Sequence, residues 1–247
     1  MFFGYIFSYL WKSNRVGDDV SSFGDAFTRI SSIKRGIDKK ATPQQKKTAD
    51  FYSAFAAASS EKGIRARSVK LNNLLGKEGQ GWLIDKKLSS EKVQVFANYK
   101  TKQVVVSFRG TDPADIDDII SDASLAVGLH RYNSRFKESV KIMKEIKANY
   151  MGYVSILSSH SLGGTINNFV NSEIEGIDHV YNFNPGAGVP LSYSTDSIRK
   201  NTTDYFIIGD PISVLGYGNK EHEQVYLESK ADGFNHYLDQ FDVIPPE

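Results

Sequence analysis

Apolar residues recur along this chain in two rhythms, and the rhythms alternate. Val93, Val95, Ala97 and Tyr99 occupy every second position, a turn follows at Lys100–Thr101, and Val104 to Phe108 returns, which predicts a β-hairpin. Phe51, Tyr52, Phe55 and Ala56 instead share one helical face, in a helix expected from about Thr48 to Ser60. Phe136, Val140 and Met143, with Ile142 and Ile146 beside them, make a second amphipathic helix. It leads towards an apolar strand ending near Ser159, and Ile166, Phe169, Val170 and Ile174 then form the buried stripe of a further helix. Val180 to Phe183 and Tyr205 to Ile208 read as two more strands. Such alternation implies an α/β layer protein, with a mostly parallel central sheet and helices on both faces. No internal repeat or low-complexity segment interrupts it. A chain of 247 residues suits one such domain, with a core large enough to need no covalent staples.

The alternation covers residues 46–247, and residues 1–45 stand apart from it. Met1 to Trp11 is nearly all apolar and aromatic, with Phe2, Phe3, Tyr5, Ile6, Phe7, Tyr9 and Leu10, before Lys12 and Arg15. It lacks a basic leader and a small-residue cleavage site, so a signal peptide fits poorly. Two readings stay open: a segment packed on the domain, or an interfacial anchor, since aromatics with basic flanks favour the headgroup layer. Residues 12–47 read as a polar connector whose second half is basic, through Lys34, Arg35, Lys39, Lys40, Lys46 and Lys47. No stretch approaches the roughly 20 apolar residues of a membrane-spanning helix. The expectation is therefore a soluble or peripheral membrane protein.

The junction at Tyr153 to Gly164, Tyr-Val-Ser-Ile-Leu-Ser-Ser-His-Ser-Leu-Gly-Gly, carries the candidate chemistry. A strand runs into a serine flanked by small residues, and a helix begins at once. This is the grammar of a nucleophile elbow, a sharp turn that lifts one serine hydroxyl above a parallel sheet. The turn crowds the backbone, so the positions two before and two after the nucleophile must be small. Here they are Ser159 and Gly163, around Ser161. Ser155, Ser158 and Ser159 precede the turn and are disfavoured. About fifty residues upstream, the strand Gln103 to Phe108 runs directly into Arg109-Gly110-Thr111-Asp112.

Together, the Phe-Arg-Gly-Thr junction and His160-Ser161-Leu162-Gly163-Gly164 resemble the class 3, fungal-type lipases of the α/β-hydrolase superfamily. The resemblance spans roughly residues 45 to 241. Looser matches are Asp85 to Ser90, His130, Asn184-Pro185-Gly186, Gly209-Asp210-Pro211 and His236-Tyr237. It implies an α/β-hydrolase fold and a serine hydrolase acting on lipid esters, of triacylglycerol lipase or phospholipase type, through an acyl-enzyme intermediate.

Serine hydrolysis needs a nucleophile, a base, an orienting carboxylate and an oxyanion hole. Ser161 is the nucleophile by position. In this architecture the partners follow in the order serine, carboxylate, histidine. Asp210 stands just after the strand Tyr205 to Ile208, on the same rim as the elbow. His236 resembles the family's late catalytic histidine. His222 also follows Asp210, but Glu221-His222-Glu223 reads as an exposed charged turn. His130 and His179 precede the required order, and His160 reads as support for the turn. The oxyanion donors would be the N–H groups of Leu162 and Thr111, with the Thr111 hydroxyl adding a further bond as the resemblance implies.

The segment after Thr111 holds Asp112, Asp115, Asp117, Asp118 and Asp122, interleaved with Ile116, Ile119, Ile120 and Ala123 at helical spacing. In the resembled family a lid helix lies here. A lid and an ordinary packed helix are both consistent with the pattern, and the tryptophan many members carry there is missing. Two other departures are Ser159, in place of the elbow's usual first glycine, and Arg131-Tyr132 after His130. Asn201-Thr202-Thr203 is a candidate glycosylation acceptor, though the tripeptide is common by chance.

Composition removes some other classes. With 30 basic and 29 acidic residues there is no electrostatic case for nucleic acid. The chain has no cysteine, and its five histidines show no ligand-like pairs, so no metal site is expected. The expected chemistry requires no metal or organic cofactor, and the expected partner is a lipid ester, with peripheral membrane contact. Two other functions share the pattern: acyl transfer to an alcohol other than water through the same triad, and a non-catalytic lipid- or membrane-associated protein that keeps the fold.

Overall fold

The computed structural model describes residues 41–110, 134–185, 201–208, 210, 222–228 and 241. Its first helix, α1, spans Pro43–Ser60 and starts earlier than the apolar periodicity places it. The cause is a capping box, which hydrophobic spacing does not register. Thr42 Oγ1 accepts the Gln45 N–H at 3.2 Å, Gln45 Oε1 accepts the Thr42 N–H at 2.8 Å, and Pro43 sits in the first turn. Residues 43–47, expected as connector, are therefore helical. Helix α2 (Ile64–Leu75) and the 3-10 turn Gly76–Gly79 follow, and neither was anticipated from the pattern. Only Arg67, Leu71 and Leu75 of α2 are buried, too short a stripe to stand out in sequence.

Among the described residues seven strands form one sheet in chain order: β1 (Trp82–Ile84), β2 (Val93–Asn98), β3 (Gln103–Phe108), β4 (Val154–His160), β5 (His179–Phe183), β6 (Thr202–Ile207) and β7 (Glu223–Leu227). β1, β2 and β3 are antiparallel, and the hairpin expected from the alternation is present with Val93 opposite Phe108. From β3 to β7 every pairing is parallel. Helix α3 (Ser134–Asn149) lies between β3 and β4 in the chain, and α4 (Leu162–Glu173) between β4 and β5, as parallel neighbours require. This is the mostly parallel α/β architecture that the alternating rhythms imply.

Both faces of the sheet are covered. On one, Val104, Val106, Phe108, Leu157 and Val180 pack against Phe136, Met143 and Ile146 of α3 and Ile166, Phe169 and Val170 of α4. On the other, Phe96, Val105 and Ile156 meet Phe55 and Ala58 of α1, Leu71 and Leu75 of α2, and Trp82. Phe55 sits edge-on to Trp82 and Phe96, with ring centroids 4.8 and 5.3 Å away. Further along that face, Ala49 and Ala56 of α1 cover Phe183, Tyr205, Ile207 and Val225, and Phe241 closes the cluster. Burial on both faces explains why β6 begins at Thr202 and not at Tyr205. Thr202, Thr203 and Asp204 are buried strand residues whose polar groups find partners inside, so they carry no apolar signature.

Candidate active site

β4 rises through the centre of the parallel sheet and turns into α4 at Ser161. The turn forces Ser161 to φ 55° and ψ −128°, a conformation side-chain-bearing residues rarely hold. Its N–H donates to Phe183 O on β5 at 3.0 Å, and its carbonyl accepts the N–H groups of Gly164 and Thr165 to open the helix. Leu162 and Gly163, first in the helix, have no carbonyl four residues back within it. Their N–H groups thus point out at the elbow with the positive end of the helix dipole.

The crowding expected around an elbow is measurable at two glycines. A Cβ on Gly163 would stand 2.1 Å from Phe108 O, so the first turn of α4 passes directly over the end of β3. A Cβ on Gly110 would stand 2.8 Å from His160 O and 3.5 Å from Ser161 Cβ. The backbone leaving β3 therefore runs against the serine, and only a bare Cα fits there. Thr111, the next residue and the expected second oxyanion donor, lies outside the described residues.

Asp210 lies just past the C-terminal end of β6, fully buried, and its N–H donates to Ile207 O at 3.1 Å. β6 is two strands from β4, so Ser161 and Asp210 stand on one rim, roughly 10 Å apart in strand spacing. His236 lies outside the described residues, as do His130, the segment 112–123 and Met1 to Trp11. His222 is described, and it corrects the expected exposed turn. Its side chain is 7% exposed, and Nδ1 stands 2.8 Å from Asp204 Oδ2. His222 immediately precedes β7, so it enters the sheet at the end opposite the rim of Ser161 and Asp210. The signal missed in sequence was the partner, a carboxylate inside a strand and distant along the chain.

Beneath the elbow runs a line of buried polar side chains that sequence reasoning did not find. Ser159 Oγ accepts the Phe108 N–H at 2.9 Å and donates to Asn167 Oδ1 at 3.0 Å. Asn167 Nδ2 donates to Asn182 Oδ1 at 2.9 Å, and Asn182 Nδ2 donates to Asp204 Oδ1 at 2.8 Å. On the opposite face of the sheet Tyr52 stacks on Tyr181 at 4.0 Å, and burial pushes both phenols upward. Burial pushes the Tyr226 phenol up as well, to about 12, so it stays neutral at ordinary pH. Asn201 does not suit glycosylation: its Nδ2, where a sugar would attach, donates to Ile177 O at 2.6 Å. Among the described residues no cluster of metal-ligating side chains occurs, and no helix is long and apolar enough to cross a membrane.

No protein-family model and no curated protein matches the sequence. Solved structures do match the fold. Lipase II from Rhizopus niveus aligns at a TM-score of 0.52 and 15% identity, over 79% of this chain and 84% of the lipase. Lip2 lipase from Yarrowia lipolytica aligns at a TM-score of 0.50 and 11% identity, over 82% of this chain and 84% of the other. At such identity the likeness speaks for the fold: this chain has the α/β-hydrolase architecture of those lipases.

Proposed function

We propose that this protein is a serine hydrolase that cleaves carboxylic esters of lipids, of triacylglycerol lipase or phospholipase type. The observation that carries the reading is Ser161, held at φ 55° between a central parallel strand and the N-terminus of α4, with Gly110 pressed against it. A residue is kept in such backbone only where the surrounding fold over-determines it, at a cost of about 1–3 kcal/mol. The fold shared with fungal lipases supports the same class of chemistry.

In this reading Ser161 Oγ attacks the ester carbonyl while His236 takes its proton. Asp210 holds the imidazole in the tautomer that leaves one nitrogen free to accept. The tetrahedral oxyanion is stabilised by the Leu162 and Thr111 N–H groups. Collapse expels the alcohol, protonated by His236, and leaves an acyl-enzyme. Water, activated by the same histidine, then releases the fatty acid. The burial of Asp210 on the rim and the engagement of His222 with Asp204 both favour this assignment over one through His222. So does Phe241. It lies five residues after His236, a reach of at most about 18 Å. Its ring centroid is 5.1 Å from that of Phe183, the register partner of His160.

The test is covalent labelling with a fluorophosphonate, followed by peptide mapping. Label should appear on Ser161 and be lost in Ser161→Ala together with hydrolysis of a soluble short-chain ester. His236→Ala should lower turnover by several orders of magnitude, and His222→Ala should change it little. Label on Ser155 or Ser159, or the reverse ranking of the histidines, sinks the corresponding assignment. Vesicle binding of the full chain, compared with a chain lacking Met1 to Trp11, tests the proposed peripheral membrane contact.

A further inference from the structure

β3 and β4 are paired in parallel from Gln103↔Val154 to Val106↔Leu157, and the register then stops. Continued by two residues, it would set Phe108 against Ser159. The strands part where α4 crosses the end of β3: Phe108 O stands 2.1 Å from where a Gly163 Cβ would lie. The parting takes the Phe108 N–H out of the ladder, and the Ser159 hydroxyl takes its place as acceptor at 2.9 Å. The same hydroxyl gives its proton to Asn167 of α4 at 3.0 Å. One oxygen thus joins the end of β3, the elbow strand and the elbow helix, two residues from Ser161.

The direction of these bonds is set from a distance. Asp204 is buried, and a carboxylate oxygen only accepts. Its Oδ1 therefore takes an N–H from Asn182, which turns Asn182 Oδ1 towards Asn167. Asn167 must then present Nδ2 to Asn182 and Oδ1 to Ser159. The Ser159 proton points at Asn167, and a lone pair is left for the Phe108 N–H. His222 Nδ1 holds the other carboxylate oxygen, and Asn182 Nδ2 also reaches Asn168 Oδ1 at 2.8 Å. With Ser159, Asn167 and Asn182 fully buried, water cannot substitute for a missing member.

We infer that Ser159 is a positioning residue. Its hydroxyl, polarised from Asp204 through Asn182 and Asn167, sets the spacing between the end of β3 and Ser161, and with it the geometry of the backbone donors at the elbow. The inference rests on Ser161 being the nucleophile. Its physical basis is that the backbone leaving Phe108 reaches Gly110 within two residues, where it touches the elbow. Displacing a catalytic group by about 1 Å can cost on the order of 10²-fold in rate, and donors aimed at a developing oxyanion depend on such placement.

The experiment uses the full chain and compares a soluble ester with its thiono analogue, whose carbonyl oxygen is replaced by sulfur. Donors set for a small oxyanion favour the oxygen substrate, so the ratio of the two kcat/KM values reports the donor geometry and not the fold. Ser159→Ala and Ser159→Gly should each lower kcat on the oxygen ester by about tenfold or more, within the 10²–10³ of outright donor loss. KM should hold within about twofold, and the oxygen-to-sulfur ratio should shrink. Asp204→Asn, which can donate as well as accept, should shrink the ratio in the wild-type background and leave it unaltered in Ser159→Ala. All rates are read well below each variant's Tm. An unchanged ratio in both Ser159 variants, or an Asp204→Asn effect that persists without the hydroxyl, overturns the inference. Wild-type hydrolysis without fluorophosphonate label on Ser161 overturns instead the nucleophile assignment beneath it.

Discussion

At φ 55° and ψ −128° Ser161 pays for its position at the end of β4 with backbone strain that glycine alone would escape. Strain relief exceeds the extra chain entropy of glycine, so Ser161→Gly should raise stability by about 1 kcal/mol. For a chain of this size that is roughly 2–4 °C in Tm. Ser161→Ala keeps a Cβ in the same conformation and should gain far less, and both variants should be inactive. Scanning calorimetry of the pair decides it, since equal Tm values would mean no strain to release. The elbow was legible because its constraints are local: small residues two positions either side of a serine, between a strand pattern and a helix pattern. The Asp204–His222 pair was not, because nothing near His222 in sequence announces a buried carboxylate on the neighbouring strand.

Between elements, a second line of hydrogen bonds crosses the face of the sheet covered by α1. His179 Nε2 on β5 meets Thr203 Oγ1 on β6 at 3.0 Å, and Thr203 donates to Glu223 Oε2 on β7 at 3.0 Å. Gln45 of α1 donates to Glu223 Oε1 at 2.8 Å. Because Thr203 spends its proton on Glu223, His179 must be the donor to Thr203. Burial pulls the His179 pKa below its ordinary value, with Glu223 opposing more weakly. The unfolded chain, with a value of about 6.5, therefore binds the proton first as pH falls. The contribution of the neutral ring is complete above that pH and declines below it. Urea midpoints should thus fall between pH 7.5 and 5.5, and His179→Gln should remove part of that fall. An identical decline in the variant would show that the titration lies elsewhere.

For the molecule as a whole, Phe241 is packed onto the sheet from a position far along the chain. Fully buried against Phe183 and within the cluster of Tyr205, Ile207 and Val225, it should cost about 3–5 kcal/mol when cut to alanine. If His236 belongs to the site, Phe241→Ala should also lower kcat at temperatures where the variant remains folded. Circular dichroism paired with ester turnover separates the two effects. A stability loss with unchanged kcat would detach the histidine's placement from this anchor.

Amphipathic spacing was enough to determine the α/β class, the β2–β3 hairpin, α3 and α4, and small residues around a serine added the elbow at Ser161. These are short-range properties, in which one face of a helix or strand declares itself within a few residues. The early start of α1 was also written locally, in Thr42, Pro43 and Gln45, but as polar capping and not as periodicity. α2, β1 and β7 are too short or too polar to declare themselves, and packing decided them. Only the tertiary structure could set Asp204 against His222, part β3 from β4 over Gly163, and draw Ser159, Asn167 and Asn182 into one hydrogen-bonded line. The reason is physical: a buried polar group is stable only beside its partner, and here the partners come from different strands and helices that meet only after the chain has folded.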